Sequence, residues 1–489
     1  MEQLNALDAG FLMAEDSDRN VSLAIGGIAI IDGSVPNHGD FKDILAERIR
    51  AIPRCTQMVR TQPFDVGAPT WVDDPGFDLS RHVRRAAVPR PGDDTELFRV
   101  VADVLERRLD RDRPLWECWV IEGLKGNRWA ILMKIHHCMA DGISATHILT
   151  RLCDDIDGDA FAAPVVSKRT AAQKHLKPVP DPKPRSNPLG DLWRTATSIT
   201  DAAARTVSGA AEIATGLLRP TAGSSLVGPV SAMRRYRAVR VPLADVEQIC
   251  RKFDVTINDV ALAAITEGFR CVLLRRGEEP RPDSLRTLVP VSVRSPDALD
   301  KPGNRLSVML PYLPVEQGDP IQQLRTVHSR LTRAKQGGQR QAGNMAVSAT
   351  SYIPFMWSSW VMRFLTRLPQ RGIVTLATSV PGPRRRLQLM GQRMARVLPI
   401  PPTALQLSTG VAVLSYGDEL VFGITADYDA APEVEQLAAG IELGIARLVA
   451  LSQDSVLLFT RDRRRRSSRA FSGGTQRGRA PAPTSRLRR

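Results

Sequence analysis

The sequence predicts an α/β protein of two similarly built halves with a cleft between them. Three observations carry this. The chain has 489 residues, beyond the usual size of one domain. Strand-like and helix-like segments mix on both sides of a proline- and lysine-rich connector. One apolar strand ends in two adjacent histidines, followed by Asp-Gly and a helix-like run, where polar side chains are often put to use.

In chain order, Val21 to Gly33 is β-rich and closes at a turn signal. From Glu96 to Leu109, residues Leu97, Val100, Val101, Val104, Leu105 and Leu109 share one helical face. "WECWVIEGL" and "WAILMKIHH" read as adjacent buried strands separated by "KGNR". Beyond Gly142, Ile143, Ile148, Leu149, Leu152 and Ile156 recur at helical spacing. The connector follows, then a polar, alanine-rich helical segment from Leu189 to about Leu218. In the second half, "INDVALAAITEGFRCVLLRRG" is a helix capped by Gly277. "LRTLVPVSVR", "NRLSVMLPYLP", "GIVTLATSV", "GVAVLSY" and "ELVFGITAD" read as strands, and "PEVEQLAAGIELGIARLVAL" as a final amphipathic helix. The expected divisions are 1–160, a linker with a helical segment over 161–232, 233–455, and a tail over 456–489.

Hydrophobic content of 43% and charged content of 24% suit a globular protein. The net charge of +15 mostly describes the tail, where Arg461 to Arg489 holds eleven arginines and one aspartate. Such a composition cannot bury enough apolar surface to offset ordering entropy, so disorder is expected there. Its charge suits anionic headgroups or nucleic acid and does not choose between them. The six cysteines are scattered without C-x-x-C spacing, and the acidic N-terminus is not a secretory signal. Reduced thiols and a cytoplasmic location follow. No apolar run reaches spanning length. The nearest, Met345 to Met362, is broken by Pro354 and reads as a buried helix pair.

Three chemistries compete for "HHCMADG". A metal site would recruit His136, His137, Asp141 and His147. Adjacent strand residues point to opposite faces, however, and the spacing fits no zinc pattern, so no metal is expected. Nucleophilic catalysis would use Cys138, but a sequence neighbour points away from His137, and no G-x-S-x-G elbow is present. General-base catalysis needs one imidazole facing a channel while the other packs behind it. One of the two histidines would be the base and the other its support. Asp141 would order the loop by pairing with a basic partner, and Gly142 would permit a sharp turn.

The motif matches H-H-x-x-x-D-G of the coenzyme-A-dependent acyltransferase superfamily, and the remaining chain resembles its bacterial wax ester synthase/diacylglycerol acyltransferase family. "LNALDAGFLMAED", "PLWECWVIEGL", "TINDVALAAITEGFRCVLLRRGE", "VPVSVR" with "GNRLSVMLPYLP", and "TSVPGPRRRLQLMGQRM" carry that resemblance in order. It implies two chloramphenicol-acetyltransferase-like domains, mixed sheets flanked by helices. It also implies acyl transfer from a long-chain acyl-CoA to diacylglycerol or a fatty alcohol, without an acyl-enzyme and without a cofactor. Carrier-protein substrates, as in condensation domains, and a non-catalytic lipid binder are the alternatives. By resemblance, His137 is the general base with His136 in support, Asn258 is a candidate oxyanion contributor, and Pro114, Leu115, Trp116 and Asp259 are candidate substrate-binding residues. For Pro114, Leu115 and Trp116 core packing is preferred, and for Asp259 a supporting role. Ser379 departs from the Asn usual before Val-Pro-Gly-Pro. Peripheral attachment to an anionic membrane or lipid-droplet surface is expected, and a nucleic-acid partner is not.

Overall fold

The computed structural model describes residues 2–62, 67–154, 225–228, 230–292, 306–336, 372–403 and 407–453. The expected connector helix, the Met345–Met362 segment and the arginine-rich tail lie outside these residues.

The first half opens with β1 (Glu2–Gln3), helix α1 (Ala6–Ser17), β2 (Ala24–Asp32) and helix α2 (His38–Arg50). There follow β3 (Gln57–Arg60), β4 (Thr70–Asp73), β5 (Val83–Ala87) and helix α3 (Asp94–Glu106). The β6–β7 hairpin (Trp116–Leu124 and Arg128–His136) and helix α4 (Gly142–Arg151) complete it. Strands β1, β4 and β3 form a small separate sheet.

The second half carries β8 (Arg234–Pro242), helices α5 (Leu243–Phe253) and α6 (Ile257–Arg275), then β9 (Thr287–Ser292) and β10 (Leu306–Met309). Helix α7 (Pro320–Gln336), β11 (Thr375–Val380), β12 (Gln388–Leu389), β13 (Gln392–Ile400), β14 (Thr409–Tyr416), β15 (Glu419–Asp427) and helix α8 (Val434–Gln453) follow.

Two six-stranded mixed sheets result, in the orders β12-β13-β2-β7-β6-β5 and β10-β9-β11-β14-β15-β8. The expected α/β class and paired halves hold, with one feature the linear divisions did not anticipate. Strands β12 and β13 belong in sequence to the second half, yet β13 pairs antiparallel with β2 of the first. The crossing is tight: a Cβ on Gly423 of β15 would meet the Pro399 carbonyl oxygen at 1.7 Å, so only glycine lets these backbones touch. Tyr236 of β8 donates to the same carbonyl at 2.9 Å.

Helix α3 shows how pattern becomes packing. Its buried Leu97, Val101, Val104 and Leu105 repeat at helical spacing against the sheet. Asp93 caps its start by accepting from the Glu96 amide at 3.1 Å. Its end is held from an unexpected direction. Lys134, fully buried in β7, donates from Nζ to the Val104 carbonyl at 2.8 Å and to that of Arg107. A buried ammonium is tolerated there because it satisfies carbonyls that a helix end leaves open. Burial lowers its pKa from 10.5 to about 8, so it stays charged at neutral pH.

A second buried charge joins the halves. The Asp427 carboxylate lies 3.3 Å from Arg234 and accepts the amides of Ser231, Asp429 and Ala430. Arg234 in turn donates to the Asn20 carbonyl at 2.5 Å, and its amide to Glu106 at 3.2 Å. Among the described residues no helix is long and apolar enough to cross a membrane.

Candidate active site

The site begins with the period of a strand. Along β7, Met133, Ile135 and, one residue past its end, His137 face a cavity; Lys134 and His136 face the opposite side. The ladder continues through the histidines: the His136 amide donates to the Leu115 carbonyl and the His137 amide to that of Leu23, both at 2.9 Å. The chain then turns, with the Met139 amide on the His136 carbonyl at 2.9 Å, and enters α4. Asp141 caps that helix by accepting from the Ser144 amide at 2.8 Å.

The cavity measures about 330 Å³, at the lower end of the usual range for small-molecule sites. Both halves line it. The first contributes Leu7, Phe11, Ile25, Met133 and Ile135; the second contributes Leu288, Val308, Leu376, Leu407 and Leu414. Besides His137, the polar side chains on the wall are few: Asp141, Thr146 and Thr150 from one half, Thr378, Ser379 and Tyr416 from the other. This greasy chamber with one imidazole on its wall fits an apolar chain with a reactive polar end. Burial lowers the His137 pKa from 6.5 to about 4, only partly offset by Asp141, so the ring is neutral at physiological pH.

Helix α1 lies against both histidines. The Phe11 and His137 ring centroids are 4.5 Å apart, at a tilt of 38°. Four residues on, the Glu15 carboxylate lies 3.3 Å from His136 Nε2. His136 Nδ1 accepts from the Cys138 amide at 3.1 Å, which puts its proton on Nε2. Glu15 is buried, yet its pKa falls to about 2. Desolvation acts to raise it and is outweighed by His136, Arg111 and the Leu23 amide.

Of the residues singled out from sequence, the structure brings His137, Asp141, Gly142 and Ser379 to the cavity. His136 lies directly behind. Gly142 has a different reason from the expected turn. It lacks a positive φ; instead a Cβ there would lie 2.7 Å from Val380 Cγ2, reaching across from the second half. Asp141 orders its loop as the cap of α4, accepting from the Ser144 amide. Cys138 is buried off the cavity wall, and burial raises its thiol pKa well above 9.0.

Asn258 and Asp259 are not on the cavity wall. Strand alternation explains this. On β9, β11 and β14 the residues Leu288, Leu376 and Ala412 face the cavity, while Val289, Ala377, Val411 and Val413 pack with α6 on the other face. Asp259 forms a capping box with Thr256 and lies 2.8 Å from His328 Nδ1. Pro114, Leu115 and Trp116 are also buried away from the cavity, with Trp116 donating to the Cys55 carbonyl at 2.8 Å. Sequence reasoning missed Phe11 and Glu15. The spacing of Leu7, Phe11 and Glu15 on one face of an N-capped helix was the available signal.

Residues 4–261 match the wax ester synthase/diacylglycerol acyltransferase catalytic domain, and residues 302–448 match the WS/DGAT C-terminal domain. The chain is 56% identical over 499 residues to a Mycobacterium tuberculosis protein named as a diacylglycerol O-acyltransferase, with all of both chains covered. A second protein of that organism, named as the diacylglycerol O-acyltransferase tgs1, is 57% identical across 93% of this chain and 97% of its own. Among solved structures, the wax ester synthase/diacylglycerol acyltransferase of Marinobacter aquaeolei VT8 aligns with a TM-score of 0.64 at 24% identity. It covers 92% of this chain and 100% of that one. A condensation domain of the calcium-dependent antibiotic synthetase aligns with a TM-score of 0.59 at 17% identity, over 93% of this chain and 97% of that one.

Proposed function

Because the chain belongs to the wax ester synthase/diacylglycerol acyltransferase family, we propose that it moves a long-chain acyl group from acyl-CoA to the hydroxyl of diacylglycerol, forming triacylglycerol. Fatty alcohols serve as secondary acceptors and give wax esters. His137 acts as general base. The observation that carries this reading is the neutral His137 ring on the wall of an apolar cavity lined from both halves.

The chemistry follows from that position. An aliphatic alcohol holds its proton far above neutral pH, so it becomes nucleophilic only as the proton leaves. The neutral ring accepts that proton while the alkoxide oxygen attacks the thioester carbonyl. The C–S bond then breaks, and the sulfur leaves as the thiol after taking up the proton His137 holds. Acceptor and donor meet directly, so no acyl-enzyme and no cofactor are needed. The apolar walls hold both chains and exclude water, which would otherwise hydrolyse the thioester.

Purified protein incubated with labelled palmitoyl-CoA and diolein or hexadecanol should yield triacylglycerol in excess over wax ester. Folded protein that forms neither ester would overturn the assignment, as would product made only from an acyl-carrier protein.

We also propose that the arginine-rich tail attaches the enzyme to an anionic membrane or lipid-droplet surface. Each basic residue near such a surface contributes about 1 kcal/mol. Deleting residues after Thr460 should reduce co-sedimentation with phosphatidylserine-containing vesicles while leaving esterification of dispersed substrate intact. Equal sedimentation with and without the tail would refute that role.

A further inference from the structure

We infer that Glu15 and Phe11, four residues apart on helix α1, are positioning residues that hold the paired histidines in register for proton transfer. This rests on the reading of His137 as the base.

Glu15 and Phe11 sit one helical turn apart, so one face of α1 meets both rings at once. Phe11 covers His137, with ring centroids 4.5 Å apart. Glu15 reaches past the strand to His136 Nε2 at 3.3 Å. That carboxylate is itself immobilised: it receives the Leu23 amide at 3.1 Å and the Arg111 guanidinium at 2.9 Å. The other end of Arg111's engagement is Asp16, at 2.9 Å.

The His136 ring is held at Nδ1, which accepts the Cys138 amide at 3.1 Å, while Nε2 lies 3.3 Å from the Glu15 carboxylate. The Cys138 amide belongs to the turn that follows His137, so fixing the His136 ring fixes the backbone on either side of the base. The same carboxylate binds the Leu23 amide, and the Leu23 carbonyl receives the His137 amide at 2.9 Å. Glu15 therefore grips His137 by two routes, through the His136 ring and through Leu23. Neither route touches the reacting atoms. Both determine where the base stands.

A general base is sensitive to such placement, because misplacement by about 1 Å can cost about 10²-fold in rate. Fully extended substrate contacts elsewhere in the cavity would be unaffected. The expected signature is thus a loss in kcat with little change in KM.

The test uses the full chain with labelled palmitoyl-CoA and diolein. Glu15→Ala should lower kcat about 10²-fold, and the isosteric Glu15→Gln about tenfold, each leaving KM within about twofold. Phe11→Leu, which keeps apolar bulk on the cavity wall but removes the ring, should lower kcat about tenfold. The double variant Glu15→Ala/His136→Ala should lose less than the product of its two single losses, since both residues act on one turn. Should Glu15→Ala fail to fold, Glu15→Gln decides, with its near-ultraviolet circular dichroism as the control.

Wild-type kcat in folded Glu15→Gln, losses confined to KM, or multiplicative losses in the double variant would each overturn the inference. His137→Ala, run beside them, keeps the two readings distinguishable. Turnover retained in that variant removes the base itself. An inactive His137→Ala with unimpaired Glu15 and Phe11 variants removes only the positioning role.

Discussion

His137→Ala is expected to lower kcat by about 10²- to 10⁴-fold, the range that general-base groups supply. The acyl chain and the acceptor still meet in the same apolar chamber, so KM should move little. Residual activity would report what proximity alone contributes. The pH profile of the unmodified enzyme offers an independent check. Burial lowers the His137 pKa from 6.5 to about 4, so the ring stays in its basic form well below neutrality. The acid limb of kcat/KM should therefore fall below pH 6.5 and approach 4. Stability has the same direction. Below pH 6.5 the unfolded chain takes up a proton that the folded ring refuses, so stability declines as the pH drops from 6.5 towards 4. Circular dichroism at each pH separates unfolding from titration. Undiminished turnover in folded His137→Ala, or an acid limb centred at 6.5 or above, would remove His137 from the mechanism as described.

Gly142→Ala should be nearly as damaging for its size, since it adds one methyl group where none fits. The new Cβ would lie 2.7 Å from Val380 Cγ2. Valine is stiff about χ1 and cannot swing aside freely. Either α4 shifts, taking the Asp141 cap and the turn after His137 with it, or the second half backs away from the first. Overpacking of this kind costs about 1–3 kcal/mol. The displacement should also lower kcat by up to about 10²-fold. Val380→Ala removes the obstructing methyl groups, so the double variant should recover most of both losses. Urea unfolding and steady-state kinetics on the four proteins of this cycle measure the coupling. A Gly142→Ala single variant with wild-type stability and rate would show that the two halves do not press together here. A double variant no better than the single would place the fault elsewhere.

Much of the molecule could be read along the chain because its periods are local. The buried β6–β7 hairpin showed in its apolar runs and the intervening "KGNR". Helix α6 showed in its apolar face and in Gly277, whose φ of +72° suits a helix stop. Strand alternation set the two histidines on opposite faces, and the family resemblance chose His137 as the base. Strand β13 went unrecognised, since a bulge between Met394 and Arg396 breaks its alternation and its partner β2 is far away in sequence. Helix α4 ends at Arg151, earlier than its apolar spacing suggested, with the Leu152 amide bonded back to Ile148 and Leu149 and the Cys153 amide to Thr150.

The sequence by itself determined the α/β class, the family and the motif that places one imidazole towards a cavity, because residue type, strand period and helical spacing are properties of neighbours in the chain. Only the tertiary structure decided that Gly142 is small for the sake of Val380, that Asn258 does not line the cavity, and that Glu15 and Phe11 attend the histidines. Those facts depend on which faces of distant segments meet. Packing joins residues more than a hundred positions apart, and no local pattern encodes the distance between them.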